Sequence, residues 1–167
     1  FAHADSWGMD LTADFEKLQG IKGLVFFTSV VVRGGSNLSA TTIDNQFSVS
    51  QLYGGETWRL NQCYLKKAFL NDQLHIKIGR CNGGNDFLQS PLYYNFVSNA
   101  FDGNPVAIFL NTNFFAYPFA TWGACLDLKV KRVVSKFAVY NANPAIESNG
   151  SHGCNLSFRS KGVLWMT

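Results

Sequence analysis

Apolar and polar residues alternate along much of this chain, in short bursts rather than long runs. Trp7 to Glu16 reads WGMDLTADFE, with Trp7, Met9, Leu11, Ala13 and Phe15 on one face and Gly8, Asp10, Thr12, Asp14 and Glu16 on the other. A period of two predicts a strand with one greasy and one acidic face. Lys22 to Arg33 predicts a second strand whose faces are both largely apolar, which suits a sandwich core as well as a barrel wall. Thr57 to Phe69 predicts a third of mixed parity: Trp58, Leu60, Gln62, Tyr64 and Lys66 oppose Arg59, Asn61, Cys63, Leu65, Lys67 and Phe69. If the second set faces lipid, Arg59 and Lys67 lie near opposite ends and snorkel to the two interfaces. Leu74–Arg80 and Thr121–Lys131 alternate cleanly, with Trp122, Leu126, Leu128 and Val130 on the apolar face of the latter. A reversal near Val133–Ser135 leads into KFAVYNANP, and CNLSFRS opens the last strand.

The connections alternate short and long. LQGIKG and Asn71-Asp72 read as tight turns, whereas the Gly34–Gly55, Gly79–Trp122 and AIESNGSHG stretches are long. Tight turns at one end and longer loops at the other are the habit of bacterial outer-membrane barrels. The Gly79–Trp122 connection is the most unusual. Connections beyond roughly 12–15 residues without regular structure are uncommon in compact domains. This one carries Phe87, Tyr93, Tyr94, Phe96, Phe101, Phe109, Phe114, Phe115, Tyr117 and Phe119, too many aromatics for a disordered segment. It is expected to pack into a lumen or cap its mouth, turning sharply at Gly83-Gly84 and at Gly103-Asn104-Pro105.

Composition narrows the class without closing it. The length of 167 residues suggests one domain. Charged residues make up 15%, against about 25% in ordinary soluble domains, and no apolar run approaches the roughly 18 residues of a membrane helix. A transmembrane β-barrel, with polar lumen residues alternating with apolar lipid-facing ones, fits this balance; so does a soluble all-β sandwich. A net charge of +3 is too small and dispersed to point to nucleic acid. The chain opens at Phe1 without a charged-then-apolar leader, so no signal peptide is expected within it. Cys63, Cys81, Cys125 and Cys154 match no zinc spacing; two bridges would be open to them in an oxidising compartment, but they read better as apolar fillers or unpaired thiols.

Catalysis finds little footing. There is no G-x-S-x-G, Walker loop or H-E-x-x-H, and His3, His75 and His152 have no ligand-spaced partner. Asp14 and Glu16 share a strand face, but charges lining a lumen or a surface account for them better than a carboxylate pair for glycoside hydrolysis. No enzyme activity, metal or cofactor is expected.

Longer stretches carry a resemblance. FEKLQGIKGL (15–24), QLYGGETWRLNQCYL (51–65), LHIKIGRCNGGNDFLQSPLYYNFVSNAFDGNP (74–105), AYPFATWGA (116–124) and VYNANP (139–144) together resemble the carbohydrate-selective porins of the OprB family. The resemblance implies an all-β fold, an antiparallel transmembrane β-barrel of porin type in the bacterial outer membrane, whose lumen passes sugars by diffusion. Porins have about 16–18 strands. The chain is therefore expected to be a partial barrel of about seven strands in a single domain, either a fragment or a decayed copy. The implied partners are outer-membrane lipid and sugars held weakly and transiently. Sugars take ring faces and multiple hydrogen bonds, charged ones the strongest. The candidate pore-lining contacts are Asp14, Glu16, Trp58, Lys77, Arg80, Asn85, Asp86, Tyr93 and Tyr94. Strict alternation puts Arg80 with Ile76 and Ile78, so it reaches the lumen only if the strand bulges or ends there. Two other readings stay open: a soluble sugar-binding β-sandwich, and a structural or adhesive outer-membrane protein without transport.

Overall fold

Seven strands lie side by side in chain order, each antiparallel to the next. They are β1 (Ala4–Asp14), β2 (Leu24–Gly35), β3 (Thr57–Phe69), β4 (Leu74–Cys81), β5 (Thr121–Val130), β6 (Val133–Asn141) and β7 (Val163–Met166). The computed structural model describes residues 2–53, 57–101, 108 and 111–167. Among these the strands form one sheet, left open at β1 and β7. The sandwich reading, which needs a second sheet packed on the first, therefore falls, and the partial barrel stands.

The connections alternate short and long as expected. The first short one holds a brief helix, α1 (Phe15–Gln19), which the alternation of Phe15 and Glu16 had suggested was still strand. Asp14 caps it by accepting the Glu16 N–H, and Gly20 closes it in the left-handed conformation. Leu70, Asn71 and Asp72 all take positive φ in the β3–β4 turn. The β5–β6 reversal comes at Lys131-Arg132, two residues before the expected Val133–Ser135, because Val133 already pairs with Val130.

Register sorts the side chains into two faces. Directly opposed residues share a face, so Trp7, Val32 and Trp58 form one outer row and Met9, Val30 and Leu60 another. Further rows run Leu65–Ile78–Ala124–Val139–Trp165 and Ile76–Leu126–Phe137. The outer face is mostly apolar and lies uncovered on β1 and β2, where Trp7 and Met9 are 70% and 72% exposed. Phe15, expected on this face as part of the strand, instead starts α1.

The mixed parity of β3 has a local cause. Ser29 pairs with Gln62 but Val30 pairs with Leu60, leaving Asn61 as an extra residue. This β-bulge reverses the alternation within the strand. Trp58 and Leu60 point outward above it, and Cys63, Leu65, Lys67 and Phe69 point outward below it. Arg59 is therefore not an outward, snorkelling residue: it is buried, with its guanidinium 4.3 Å from the centre of the Phe119 ring.

The segment CNLSFRS is not a strand; β7 starts later, at Val163. Asn155 and Ser157 satisfy the N–H groups two residues on, of Ser157 and Arg159, with their own side chains instead of a ladder.

Candidate functional site

β4 ends at Cys81, where the chain leaves the sheet toward the inner face. Asn82 governs the departure. Its carbonyl accepts the Asn85 N–H at 3.0 Å, capping the helix α2 (Gly83–Phe87), and its amide donates to the Phe119 carbonyl at 3.0 Å. The Gly84 N–H reaches the Phe115 carbonyl at 3.3 Å. A Cβ on Gly83 would come within 3.0 Å of the Phe114 ring, so the glycine lets the two ends of the long loop meet without displacing that ring. Phe114 and Phe115 are buried as a result, which is the inward packing that the aromatic content predicts.

Asp86 fastens this fold-in to the wall. One carboxylate oxygen takes the Lys77 ammonium of β4, and the other accepts the Tyr140 hydroxyl of β6 at 2.8 Å. The Lys136 ammonium donates to the Asp86 backbone carbonyl at 2.9 Å. Lys77 also lies 4.9 Å from the centre of the Tyr64 ring. Both charges are largely buried and mutually neutralised, an arrangement that is costly to break from one side.

Two cavities flank the loop. One, of about 420 Å³, is lined by Arg33, Gln51, Asn99, Tyr117 and Phe119, and the Arg33 guanidinium stands 5.0 Å from the centre of the Tyr117 ring. The other, of about 290 Å³, lies at the bulge and is lined by Asp10, Phe27, Ser29, Asn61, Gln62, Asn85 and Tyr117.

The candidates from the sequence divide accordingly. Lys77, Asn85 and Asp86 come together on the inner face. Tyr93 and Tyr94 do not join them. They form a short 3-10 turn that stays at the surface, Tyr94 being 71% exposed with its hydroxyl on Gln89 at 2.7 Å. This middle part of the loop pairs with the first long loop instead, through Gln51 N–H to the Val97 carbonyl (3.0 Å) and Asn99 N–H to the Ser48 carbonyl (3.1 Å). Phe109 and the expected turn at Gly103-Asn104-Pro105 lie outside the described residues.

Four placements correct the expectation. Trp58 is on the outer face, stacked on His152 with ring centres 4.6 Å apart, because the bulge reverses its parity. Arg80 keeps the register of Ile76 and Ile78, opposite Cys63 and Trp122, and is 1% exposed. Its guanidinium donates to the carbonyls of Ala120 (2.6 Å) and Asn155 (2.8 Å), so it ties the last long loop to the wall. Asp14 caps α1, and Glu16 accepts the Gly23 N–H at 3.0 Å, so both carboxylates serve the first turn.

The loop tied down by Arg80 also fills the gap that β4 leaves in the wall. The Leu60 N–H, beyond the reach of β4, donates to the His152 carbonyl at 2.8 Å. Trp122 stacks on Phe158 with centres 4.5 Å apart.

An open antiparallel sheet with an apolar outer face and a loop folded against its inner face is part of a porin wall, and the comparisons agree. The sequence profile of the carbohydrate-selective porin, OprB family, matches residues 1–167. The chain belongs to the OprB family of carbohydrate-selective porins. Porin B of Pseudomonas aeruginosa is similar at 32% identity over 97% of this chain and 37% of its own length. The solved "High pH structure of Pseudomonas putida OprB" is similar with a TM-score of 0.88 and 25% identity, over 98% of this chain and 40% of that one. The chain thus spans about two-fifths of the length of these family members.

Within this OprB-family wall, sequence reading passed over Arg33, Arg59, Asn61, Gln62 and Tyr117. Arg59, Asn61 and Gln62 were hidden by the bulge. The apolar inner positions of β2 were the available signal. Val31 and Phe27 line one cavity together with the loop residues Asn85 and Tyr117, so the greasy inner positions of β2 lie where the loop comes back to the wall.

Proposed function

We propose that residues 1–167 act as one unit of a bacterial outer-membrane barrel through which sugars diffuse, forming part of its wall and part of its constriction. The observation that carries this reading is the Asp86 anchor. It fastens the start of the β4–β5 loop to the inner face, and Asn82 and Gly84 beside it bond the returning end at Phe119 and Phe115, while the outer face of β1 and β2 stays apolar and exposed. On this reading the outer face meets outer-membrane lipid, and the inner face meets solute. Asn85 at the constriction and the Tyr93 and Tyr94 rings nearer the mouth are the contacts offered to a passing sugar; Lys77 and Asp86 hold the loop in place. Binding is weak, since a pore must release what it admits, and transport proceeds without catalysis.

The test is liposome swelling. This chain, completed by the non-matching remainder of the Pseudomonas putida OprB to close the barrel, is reconstituted and challenged with glucose and with a non-sugar of similar size. Faster swelling with the sugar is expected. Membrane insertion without flux of either solute would favour a structural or adhesive role instead.

A further inference from the structure

The bulge in β3 puts an amide where a regular strand would put none. Asn61, the extra residue, turns inward beside Gln62, which keeps its pairing with Ser29. The Asn61 amide donates to the Ser29 hydroxyl at 3.3 Å, yet its carbonyl oxygen is buried without a hydrogen-bond partner among the described residues. The residue is only 4% exposed. Native proteins rarely leave such an acceptor unmatched unless something else supplies the donor. The side chain lines the cavity of about 290 Å³ described above. That is close to the lower end of the roughly 300–1,000 Å³ typical of small-molecule sites.

The rest of the cavity is chemically selective. Asp10 brings a carboxylate that only accepts hydrogen bonds from its partners when ionised. Gln62 and Asn85 bring amides that both donate and accept, and Phe27 and Tyr117 bring ring surface. Asp10 makes no ion pair among the described residues. An acceptor-rich, negatively charged wall with apolar ring surface suits a compact ligand bearing several hydroxyl donors and no negative charge. It repels carboxylated or phosphorylated solutes.

We infer that the cavity between Asp10, the Asn61–Gln62 bulge and Asn85 is a subsite for an uncharged monosaccharide, and that Asp10 excludes acidic sugars from it. This rests on the porin reading above and adds to it a place and a selectivity.

The experiment uses the same closed-barrel chimera, in liposomes loaded separately with glucose and with gluconate. Efflux of each is measured, together with block of single-channel current by glucose. Asp10→Asn, nearly the same shape without the charge, is expected to raise the gluconate-to-glucose efflux ratio about threefold to tenfold, more at low salt than at high salt. Asn61→Leu is expected to weaken glucose block with little change in open-channel conductance. Asn61→Asp, which keeps the shape and the acceptor, guards against a folding failure of the leucine variant; it should retain glucose block and lower gluconate efflux further. If the unmodified chimera passes no sugar, the porin reading fails and the subsite with it. If it passes glucose but all three variants leave both the ratio and the block unchanged, the subsite is wrong while the porin reading stands.

Discussion

Gly79 and Gly123 stand directly opposite each other on β4 and β5, with Tyr64 and Tyr140 as their outer neighbours in the same cross-strand row. The two glycines leave a bare strip of inner wall between two rings. Tyr140 leans over it, so a Cβ on Gly123 would lie 2.5 Å from the Tyr140 ring. From there its hydroxyl reaches Asp86. The gap in side chains is thus part of how the loop is held.

Substituting either glycine should loosen that arrangement, and unequally. Gly123→Ala meets a ring edge and the Val139 carbonyl at 2.9 Å, an overpacking cost of about 1–3 kcal/mol. Gly79→Ala meets backbone of Cys63 at 2.4 Å and of Tyr64 at 2.6 Å. It also forces a side chain onto a φ of +145°, adding roughly 1–3 kcal/mol of strain. Urea titration of the closed-barrel chimera should rank Gly79→Ala as the more damaging. Equal midpoints would overturn the ranking, and midpoints matching the unsubstituted chimera would mean that the row does not bear on stability.

Asp86 should behave as an anchor and not as a sugar contact. Asp86→Asn leaves the Lys77 ammonium largely buried opposite a neutral group, a change of the kind that costs about 3–5 kcal/mol. The loop should detach before the wall unfolds. Single-channel conductance should therefore rise, and protease should cut near Gly83–Phe87, at denaturant concentrations that leave the strands intact. Adding Lys77→Met should recover much of the loss, because the unpaired charge is removed. A double variant as leaky as the single one would count against the ion pair as the fastener.

Much of the wall was legible in the chain because a strand with one apolar face declares itself by its period. β3 was delimited residue for residue, and the long and short connections fell in the right order. The failures share a physical cause, which is that side-chain direction depends on neighbours far away in sequence. One inserted residue at Asn61 reversed Trp58 and Arg59, and only pairing with β2 reveals an insertion. Arg80 kept its strand parity, yet its partners at Ala120 and Asn155 come from loops whose return to the wall no periodicity encodes. Asp14 and Glu16 looked like a ladder of lumen charges because a capped five-residue helix can follow a strand without breaking the alternation. CNLSFRS alternates as well as any strand here, but its short polar side chains supply its hydrogen bonds locally.

Leu126 provides a test of which face meets lipid. It sits in an outer row between Ile76 and Phe137. Leu126→Arg should cost about 2–4 kcal/mol if the position lies near the bilayer midplane. Its strand neighbour Asp127 belongs to the opposite face, so Asp127→Asn should change stability far less. Folding titrations of the chimera into lipid vesicles would show the contrast. Equal losses at the two positions would remove the assignment of faces.

The open edges of the sheet lead to the last expectation. β1 offers backbone N–H and C=O groups on the side away from β2, and β7 does so on the side away from β6, and no described strand pairs with either. In hydrocarbon each unmatched group costs several kcal/mol, which is why membrane-spanning sheets close on themselves. The apolar outer face cannot offset this, since burying it in lipid does nothing for the edges. The 167-residue chain by itself should therefore fail to give stable, reproducible single-channel steps in planar bilayers. In detergent it should associate through β1 and β7 into species of mixed size, as exposed edges template pairing with other chains. Sedimentation velocity should show that spread, and the closed-barrel chimera should sediment as a narrow species under the same conditions. Discrete conductance steps from the chain alone, with a single well-defined assembly in detergent, would mean that copies close the barrel between themselves and that no further strands are needed.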